Sequence, residues 1–334
     1  MRHPRDVLLG AQAARVRLPV CDHYSGVLAR MEKSLLLQSQ MIKALGACVF
    51  DVTLDCEDGA SVGAERDHAL LVSELIAKRG PLARVAARIH AVDHSHFEED
   101  VELIVGSVGS LMSHVMIPKV ESVQDIQTVV QALDRVGAHQ LPIHALIESP
   151  QAVHQAFDIA AHPRVESLSF GLMDFVSSHA GAIPEWGMTM SGQFKHPLIV
   201  RAKMEIASAC HAHGKTPAHG VVTEINDLAS IEQSAAEAHE RLGYPRMWSI
   251  HPSQIEPIIA AMTPSQDAIQ EASAIVLAAL EADWGPIRFE GRLHDRASFR
   301  YYWQVLERAH DTARPMPPQS QIFFEPEFGQ GVSA

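Results

Sequence analysis

The chain alternates short runs of apolar and β-branched residues with longer segments of helical spacing, and this alternation constrains its fold more than any other feature. Parallel strands need a crossover connection, usually a helix, so the alternation predicts a parallel α/β sheet. The predicted strand runs are RVRLPVC (15–21), ACVFDVTLD (47–55), ARVAARIH (83–90), SHVMIPK (113–119), PIHALIE (142–148), VESLSFG (165–171), KTPAHGVV (215–222) and RMWSIHP (246–252).

Eight strand-like runs, each followed by a helical segment, predict an α/β fold of the (β/α)8 TIM-barrel type. The predicted helical segments are 26–45, 63–79, 96–106, 121–136, 151–161, 195–213, 226–241 and 253–262. An open, doubly wound sheet is the alternative architecture. It would want a glycine-rich phosphate turn, and no G-x-G-x-x-G follows any of the strand runs.

The alternation stops near residue 264, which divides the chain into three predicted parts. Residues 1–263 form the barrel, and residues 264–314, with a helical stretch at 266–282, form a C-terminal helical lid segment. Residues 315–334 form a proline-rich tail, which we expect to be loosely ordered or bound to a partner.

Charge and cysteine content exclude several classes of partner. The net charge of −13 argues against nucleic acid or an anionic membrane surface as the ligand. The four cysteines have no C-x-x-C spacing, and reduced thiols are typical of a cytoplasmic protein. No apolar run reaches the ~18 residues that a membrane span requires. The N-terminus lacks the long apolar core of a secretory signal. The sequence therefore predicts a cytoplasmic protein.

Charged side chains stand at the ends of five successive predicted strands. In a barrel of this type, the loops that follow the strands lie together at one rim and carry the chemistry. We therefore expect these side chains to face a shared pocket: Asp55, Glu57 and Asp58 after the second run, Arg88 in the third, Lys119 in the fourth, Glu148 in the fifth and Asp174 after the sixth.

Glu148 and Asp174 predict a magnesium site. The fifth and sixth strands would be neighbours about 4.8 Å apart, so that the two carboxylates converge. Mg²⁺ is usually held by one or two carboxylates together with water and ligand oxygens; Mn²⁺ is the alternative ion. Asp55, Glu57 and Asp58 would orient the metal-bound waters. The planar fork of Arg88 suits a substrate carboxylate.

Two other groups of residues are weaker candidates. The segment HAHGKTPAHG (211–220) has the composition of a zinc site, but its histidines straddle a helix end and a strand. Cys56 lies beside the acidic residues, which would raise the pKa of its thiol and weaken it as a nucleophile.

At this point the motifs resemble those of a known family, the citrate lyase β-subunit-like branch of the HpcH/HpaI aldolases, which includes malyl-CoA and citramalyl-CoA lyases. The resemblance spans about residues 47–308, in the family's order. It rests on DCEDGA (55–60), ARIH (87–90), IPKVES (117–122), LIES (146–149), FGLMDF (170–175), IHPSQI (250–255) and FEGRLHD (289–295).

The resemblance implies a role for each matching residue. Glu148 and Asp174 would be the Mg²⁺ ligands. Arg88, Gly171 and Met173 would bind substrate, and Asp55, Glu57, Asp58 and Lys119 would support the metal site. Asp295, with Arg88 and Glu57, would be catalytic. In the family's lyases the lid acid reaches the active site of an adjacent subunit, so the resemblance also implies a homo-oligomer, a trimer or a hexamer built from two trimers.

The chain departs from the family's motifs at three places. RLPVCDHYSG (17–26) replaces the N-terminal R-S-x-L-x-x-P. His219 stands where the family usually has an aspartate after the seventh strand. Arg292, Leu293 and His294 replace the lid's Lys-Met-Ile. All three lie around the substrate end of the predicted site, so they bear on which acyl partner it takes and on whether CoA is used.

The predicted function is a Mg²⁺-dependent carbon–carbon lyase. It would cleave a 2-hydroxy acid or its acyl-CoA thioester to a 2-oxo acid, which would be pyruvate, glyoxylate or oxaloacetate, and an acyl or acetyl product. Asp295 would transfer the proton. A Schiff base on Lys119 is the alternative chemistry. A catalytically retired barrel that binds an acyl ligand or a protein partner is the alternative function, and the chain could also be one subunit of a larger lyase complex.

Overall fold

The chain folds into two units, which we describe separately. The structure is a computed structural model that describes residues 3–10, 13 and 16–325. Residues 18–262 form the barrel unit, and the described residues of 1–17 and 263–334 form the second unit. Residues 1–17 were predicted to be part of the barrel. The described residues 3–10 belong instead to the second unit, and Leu8 is buried in that unit's hydrophobic core.

Eight parallel strands close into a barrel, which confirms the predicted TIM-barrel fold. Each strand pairs with the next along the chain, and the first pairs with the last through Cys21 and Met247. This closure excludes the open doubly wound sheet. The strands are β1 (Cys21–Ser25), β2 (Phe50–Asp55), β3 (Val85–Arg88), β4 (Val115–Ile117), β5 (Ile143–Ile147), β6 (Val165–Phe170), β7 (Thr216–His219) and β8 (Arg246–Ser249).

The first strand lies later in the chain than the sequence predicted. The predicted run, RVRLPVC, ends at Cys21, whereas β1 begins there and continues through DHYS. All five residues of β1 are buried although Asp22, His23 and Ser25 are polar, because each side has a polar partner: Asp22 pairs with Arg246 in the barrel interior, and His23 forms a hydrogen bond with Ser249 on the other face. Strand prediction from apolar residues alone therefore chose the wrong segment.

Helices follow the strands as the alternation predicted. In the barrel unit they are α2 (Leu28–Leu45), α3 (Glu65–Ala77), α4 (Phe97–Asp100), α5 (Gly106–Val108), α6 (Val123–Arg135), α7 (Pro150–His154), α8 (Ala156–Ala161), α9 (Leu172–Ser177), α10 (Pro197–His213), α11 (Leu228–Leu242) and α12 (Ile255–Met262); in the second unit they are α1 (Pro4–Leu9), α13 (Gln266–Glu281), α14 (Arg296–Asp311) and α15 (Pro318–Gln321).

Local sequence explains where several of these helices begin. Ser122 and Asp125 form a reciprocal capping box at the start of α6. Ser149 caps α7 by accepting a hydrogen bond from the N–H of Ala152, and Pro150 follows at the first helical position. These caps fix the chain immediately after β4 and β5, where the predicted site residues lie.

Three buried ions, Asp22, Asp51 and Arg246, form a layer at the N-terminal ends of the strands together with the half-buried Arg84; we call this set the ionic floor. Arg246 lies 2.8 Å from a carboxylate oxygen of Asp22 and 2.6 Å from one of Asp51. Arg84 donates to the other oxygen of Asp51 at 2.6 Å. Each buried charge thus has an opposite charge in contact with it, as burial requires.

An apolar layer separates the floor from the C-terminal rim. It consists of Tyr24, Met116, Leu146, Ala218 and Trp248. The rings of Tyr24 and Trp248 stack with their centroids 4.3 Å apart. We call this set the aromatic layer; the predicted site residues lie beyond it, at the ends of the strands.

The second unit has its own hydrophobic core, which includes Phe299 and Trp303 of α14 and Ile275 of α13. A two-stranded antiparallel sheet, β9 (Ile287–Phe289) with β10 (Arg292–His294), precedes α14. The expectation of a loosely ordered tail is wrong for its first part, because α15 is helical and Phe323 is buried in this core. Residues 326–334 of that tail lie outside the described residues.

Among the described residues, no helix combines the length and the apolar character needed to cross a membrane.

Candidate active site

Glu148 is the first residue after β5, and the structure holds it buried at the rim. Its Oε1 accepts a hydrogen bond of 2.7 Å from the backbone N–H of Lys119. Lys119 has a φ of +53°, an unfavourable conformation for a side chain with a Cβ, and it directs that N–H at the carboxylate. Burial, followed by the neighbouring Asp174, raises the pKa of Glu148 to about 8. Ionising the buried Glu148 alone already costs free energy, and the site holds a second carboxylate, that of Asp174, near it.

Asp174 lies in the first turn of α9, which follows β6 through Gly171. It lines the same pocket as Glu148. Gly171 is packed so closely against Glu148 that a Cβ there would lie 2.5 Å from its Oε2 and 2.7 Å from its Cβ. Only glycine therefore allows the loop after β6 to pass Glu148 and bring Asp174 beside it.

Arg88, at the end of β3, is held by two carboxylates. Its Nε donates to Oδ1 of Asp55 at 2.6 Å, one terminal nitrogen bonds the other oxygen of Asp55, and the second lies 3.1 Å from Oε2 of Glu57. Burial would raise the pKa of Asp55, but Arg88 and the N–H groups of Glu57 and Gly59 hold it below its usual range. The guanidinium is therefore fixed in place, with N–H bonds left over.

Lys119 and Asp58 are the two remaining charged residues of the predicted site. The Nζ of Lys119 bonds Oε1 of Glu57 and lies 3.7 Å from Asp58. Burial would lower the pKa of Lys119, but its bond to Glu57 raises it. Burial and the nearby Glu57 raise the pKa of Asp58, whose side chain is largely exposed.

A single pocket joins these residues. It has a volume of about 340 Å³ and is lined by Asp55, Asp58, Arg88, Glu148, Gly171, Met173 and Asp174 at the rim, and by Tyr24, Leu146 and Trp248 of the aromatic layer. Glu57 and Lys119 contact residues of this lining: Glu57 lies against Arg88, and the backbone N–H of Lys119 donates to Glu148. Asp174, Glu148, Arg88 and the acidic loop after β2 therefore meet in one cavity, as the strand-end pattern predicted.

The loops after β1 and β2 touch through their glycines. A Cβ on Gly26 would lie 2.1 Å from the carbonyl oxygen of Gly59, and a Cβ on Gly59 would lie 2.2 Å from Oδ2 of Asp55. The two loops are consequently locked together on one side of the pocket.

The histidines of the segment 211–220 do not converge. His211 bonds the carbonyl of Gly243, His213 contacts Phe157, and His219 is buried against Phe194 and Tyr244. The zinc site considered from the sequence is therefore wrong. His219 follows the inward-facing Ala218 of β7, so its side chain lies on the opposite face of the strand and does not line the pocket.

One other group of potential metal ligands occurs within the described part of the chain: Asp22, His114 and His144, with ligand atoms within 4.8 Å of one another. It lies at the level of the ionic floor, to which Asp22 belongs, and not at the rim. The centroids of the two stacked imidazole rings lie 3.6 Å apart and the ring planes differ by 13°, so their in-plane lone pairs lie in two nearly parallel planes and do not meet at one ion. Arg246 already neutralises Asp22.

Comparison with known proteins decides the family. Residues 34–252, more than half of the chain, match the family described as HpcH/HpaI aldolase/citrate lyase. The chain belongs to this family. The resemblance drawn from the motifs is thereby confirmed, as is the expectation of a lyase.

Several members of the HpcH/HpaI family are similar along most of their length. An L-malyl-CoA/β-methylmalyl-CoA lyase of Cereibacter sphaeroides is 29% identical over 278 residues, which cover 77% of this chain and 86% of that protein. The crystal structure of a citrate lyase from Burkholderia xenovorans is 46% identical, has a TM-score of 0.82 and is matched over 97% of this chain and 100% of its own.

A more distant member shares the fold. The Mycobacterium tuberculosis protein CitE, solved in complex with magnesium, acetoacetate and coenzyme A, is 23% identical with a TM-score of 0.64. The match covers 88% of this chain and 98% of that one.

The predicted lid acid of this HpcH/HpaI protein lies in the second unit. Asp295 caps α14, where its carboxylate accepts hydrogen bonds from the N–H groups of Ala297 and Ser298. Its catalytic role stays a prediction.

Tyr24, Arg30 and Trp248 are among the pocket-lining residues that the sequence did not predict as site residues. Tyr24 and Arg30 were missed because the first strand was placed too early, which moved the end of β1 away from the rim. Trp248 stands in the last predicted strand run, and strand alternation with Arg246 would have placed both inside the barrel.

Gly171→Ala is expected to weaken Mg²⁺ binding by about tenfold or more, because the added methyl group displaces Glu148. Isothermal titration with Mg²⁺ measures the effect. Gly80→Ala is the matched control, since a Cβ at Gly80 meets nothing within 4 Å. Equal affinity in the two variants would show that Glu148 does not bind the metal.

Proposed function

We propose that this protein is a Mg²⁺-dependent carbon–carbon lyase that cleaves a 2-hydroxy acid, or its acyl-CoA thioester, to a 2-oxo acid and an acyl or acetyl product. The 2-oxo acid would be pyruvate, glyoxylate or oxaloacetate. One observation carries the proposal: two carboxylates, Glu148 and Asp174, line one pocket with the fixed guanidinium of Arg88.

Glu148 and Asp174 would hold the magnesium ion. Among the described residues, no cationic side chain forms an ion pair with the carboxylate of Glu148, which accepts a backbone N–H, so the pair fits a divalent cation with oxygen ligands. When bound, Mg²⁺ would supply Lewis-acid stabilisation of the oxygen on which negative charge develops. The magnesium in the crystal structures of Mycobacterium tuberculosis CitE supports this choice of ion.

Arg88 would bind and orient the substrate's carboxylate. Two of its five N–H bonds donate to Asp55, and Glu57 lies 3.1 Å from a third nitrogen; together they prevent the side chain from turning. The remaining N–H bonds are available to a carboxylate. Glu57 would act on the reaction through Arg88 and Lys119, which it contacts. The loop from Gly171 to Met173 would form the side of the substrate pocket beside Glu148.

Asp295 would donate or accept the proton at the enolate carbon, as a residue of the lid. In the family this acid comes from an adjacent subunit, so the proposal includes a homotrimer or a hexamer.

Two alternatives are less well supported. A Schiff base needs a neutral amine, but Lys119 is bonded to Glu57, and its pKa is raised. A retired barrel that only binds a ligand would not need the acids and Arg88 to share a pocket, whereas here they do.

The deciding experiment measures Mg²⁺-dependent release of pyruvate or glyoxylate from a panel of 2-hydroxy acids and their CoA thioesters. We expect release from at least one of them with Mg²⁺, and none with EDTA. Magnesium binding without release from any compound would favour the ligand-binding barrel. If neither release nor metal binding is observed, the lyase proposal is wrong.

A further inference from the structure

The second unit contains an acidic pocket that the proposed reaction does not use. Its volume is about 580 Å³, compared with about 340 Å³ for the substrate pocket, and its lining comes from α13 and the β9–β10 hairpin. Three carboxylates, those of Asp267, Glu271 and Glu290, and one guanidinium, that of Arg292, line it. Within the described part of the chain, none of these four side chains forms an ion pair. The pocket therefore carries an excess of negative charge that no contacting cation neutralises.

Two of the acids lie one turn apart on α13. Asp267 and Glu271 are at positions i and i+4, where Cβ atoms are about 5–6 Å apart and like charges destabilise a helix. Glu271 accepts a hydrogen bond of 3.3 Å from the hydroxyl of Tyr302 through Oε1, which leaves Oε2 available to a ligand. A cation bound at these two acids would remove their mutual repulsion.

The third acid occupies the hairpin turn in a conformation that glutamate rarely adopts. The turn has two residues, and both have a positive φ, +46° at Glu290 and +81° at Gly291. Asn, Asp and Gly are the usual residues at its first position, because longer side chains are strained in the left-handed region. Backbone strain of this kind is concentrated at functional sites. Here the strained turn brings a third carboxylate to the pocket lining.

His294 provides an observation that is independent of the acids. Its side chain is 6% exposed and lines the pocket, and its Nδ1 is buried without a hydrogen-bond partner among the described residues. A buried polar atom of this kind costs free energy unless a ligand or a water molecule bonds it. Residue 294 is also a lid position at which this chain departs from its family, where isoleucine is usual. The unpaired nitrogen is thus a feature of this chain that points to a ligand.

The arrangement does not suit a single metal ion. So far as the chain is described, three potential ligand atoms come within 4.8 Å of one another only at Asp22, His114 and His144, which lie in the barrel. A ligand that reaches several acids of this pocket must therefore be extended and carry more than one positive charge. The ring of Phe289, which also lines the pocket, offers apolar surface to the part of such a ligand between its charges.

We propose that this pocket binds an aliphatic diamine or polyamine, whose ammonium groups pair with Asp267, Glu271 and Glu290. A chain of three or four methylene groups separates two ammonium groups by about the distance between acids one helical turn apart. Each ammonium group has several N–H donors, so one of them can also be accepted by Nδ1 of His294. The ligand would join α13 to the hairpin, whose second strand leads directly into Asp295.

The test measures binding of spermidine, putrescine and butylamine to the full chain by isothermal titration, at low ionic strength and with saturating Mg²⁺ to fill the metal site of the substrate pocket. We expect spermidine to bind at least about tenfold more tightly than butylamine, which has one ammonium group, and putrescine to lie between them. Glu290→Gln and His294→Ile should each weaken spermidine binding about fivefold. His294→Ile introduces the family's usual residue, and Glu290→Gln alters only an exposed side chain, so both variants should fold.

Glu281→Gln is the matched control, because Glu281 is an exposed acid of the same helix and does not line the pocket. Its affinity for spermidine should equal that of the wild type. An equal loss in Glu281→Gln and Glu290→Gln would show a general attraction of polyamines to an acidic protein and overturn the inference.

Three other results would also overturn it. Equal affinities for spermidine and butylamine would show that the separate charges are not recognised. Loss of spermidine binding in Asp174→Asn, with no loss in Glu290→Gln, would place the polyamine in the substrate pocket. If Ca²⁺ binds the wild type, His294→Ile abolishes that binding and spermidine does not compete with it, the ligand of this pocket is a metal ion. None of these results bears on the proposed lyase activity, whose test is separate.

Discussion

Asp174→Asn is expected to reduce lyase activity by at least about a thousandfold, since loss of the metal removes several kcal/mol of stabilisation from the developing charge. The substitution keeps the size of the side chain and removes one of the two carboxylates in the pocket. Glu148→Gln should have an effect of the same size, because its amide oxygen still accepts the N–H of Lys119 but binds a cation weakly. Mg²⁺ affinity, measured by calorimetry, should fall in both variants.

The matched control is Asp158→Asn, which removes an exposed carboxylate from the first turn of α8, remote from the pocket lining. Its activity and metal affinity should equal those of the wild type. Thermal unfolding of all three variants should stay close to wild type if the substitutions act on chemistry alone. Unchanged Mg²⁺ affinity in Asp174→Asn would remove Asp174 from the metal site.

Arg246→Leu is expected to destabilise the protein by about 3–5 kcal/mol, the usual cost of removing one partner from a buried ion pair. Arg246 is fully buried and contacts both Asp22 and Asp51, and without it both carboxylates lose a counter-charge in the barrel interior. Urea unfolding followed by circular dichroism at pH 7 measures the change. Arg241→Leu, which breaks an exposed pair within α11, should cost less than about 1 kcal/mol.

The pH dependence of this effect follows from Asp51. Burial raises the pKa of this carboxyl, but Arg84 and Arg246 lower it below its ordinary value. Its ionised form therefore stabilises the folded protein above the ordinary pKa, and this contribution is lost as the pH falls through the lowered one. In Arg246→Leu the pKa of Asp51 rises, so this carboxyl becomes protonated at a higher pH than in the wild type. Its protonation removes a buried negative charge that has lost a partner. The difference in stability between wild type and variant should shrink between pH 7 and pH 4. A constant difference would show that the ion pairs are not its source.

The sequence predicted the rim of the barrel better than its interior. Glu148 and Asp174 follow strongly apolar runs, and the rule that parallel strands end at one rim brings them together without any knowledge of packing. Arg88 was likewise placed correctly at the end of β3. The ion pairs of Arg88 with Asp55 and Glu57 were not predicted, because they depend on the register between β2 and β3. That register places Asp55 beside Arg88.

The interior was misjudged because it contradicts the usual apolar pattern. Asp22, which faces the barrel interior, and His23, on the other face of β1, are both polar and both buried, so the apolar pattern did not predict a strand there. Backbone geometry was also beyond reach: nothing in the identity of Lys119 predicts its left-handed conformation, which directs its N–H at Glu148. Arg30 became recognisable as a pocket residue only once β1 was placed at Cys21–Ser25.

The ionic floor has a practical consequence for altering this enzyme. Its charges pair among themselves at the opposite end of the strands from Glu148 and Asp174, with the aromatic layer between. Many of the contacts that stabilise the barrel strands therefore do not involve the residues that would bind substrate. Residues that line the pocket can therefore be varied in a library to change the acid that is accepted. If the ionic floor is left unchanged, most members of such a library should still fold.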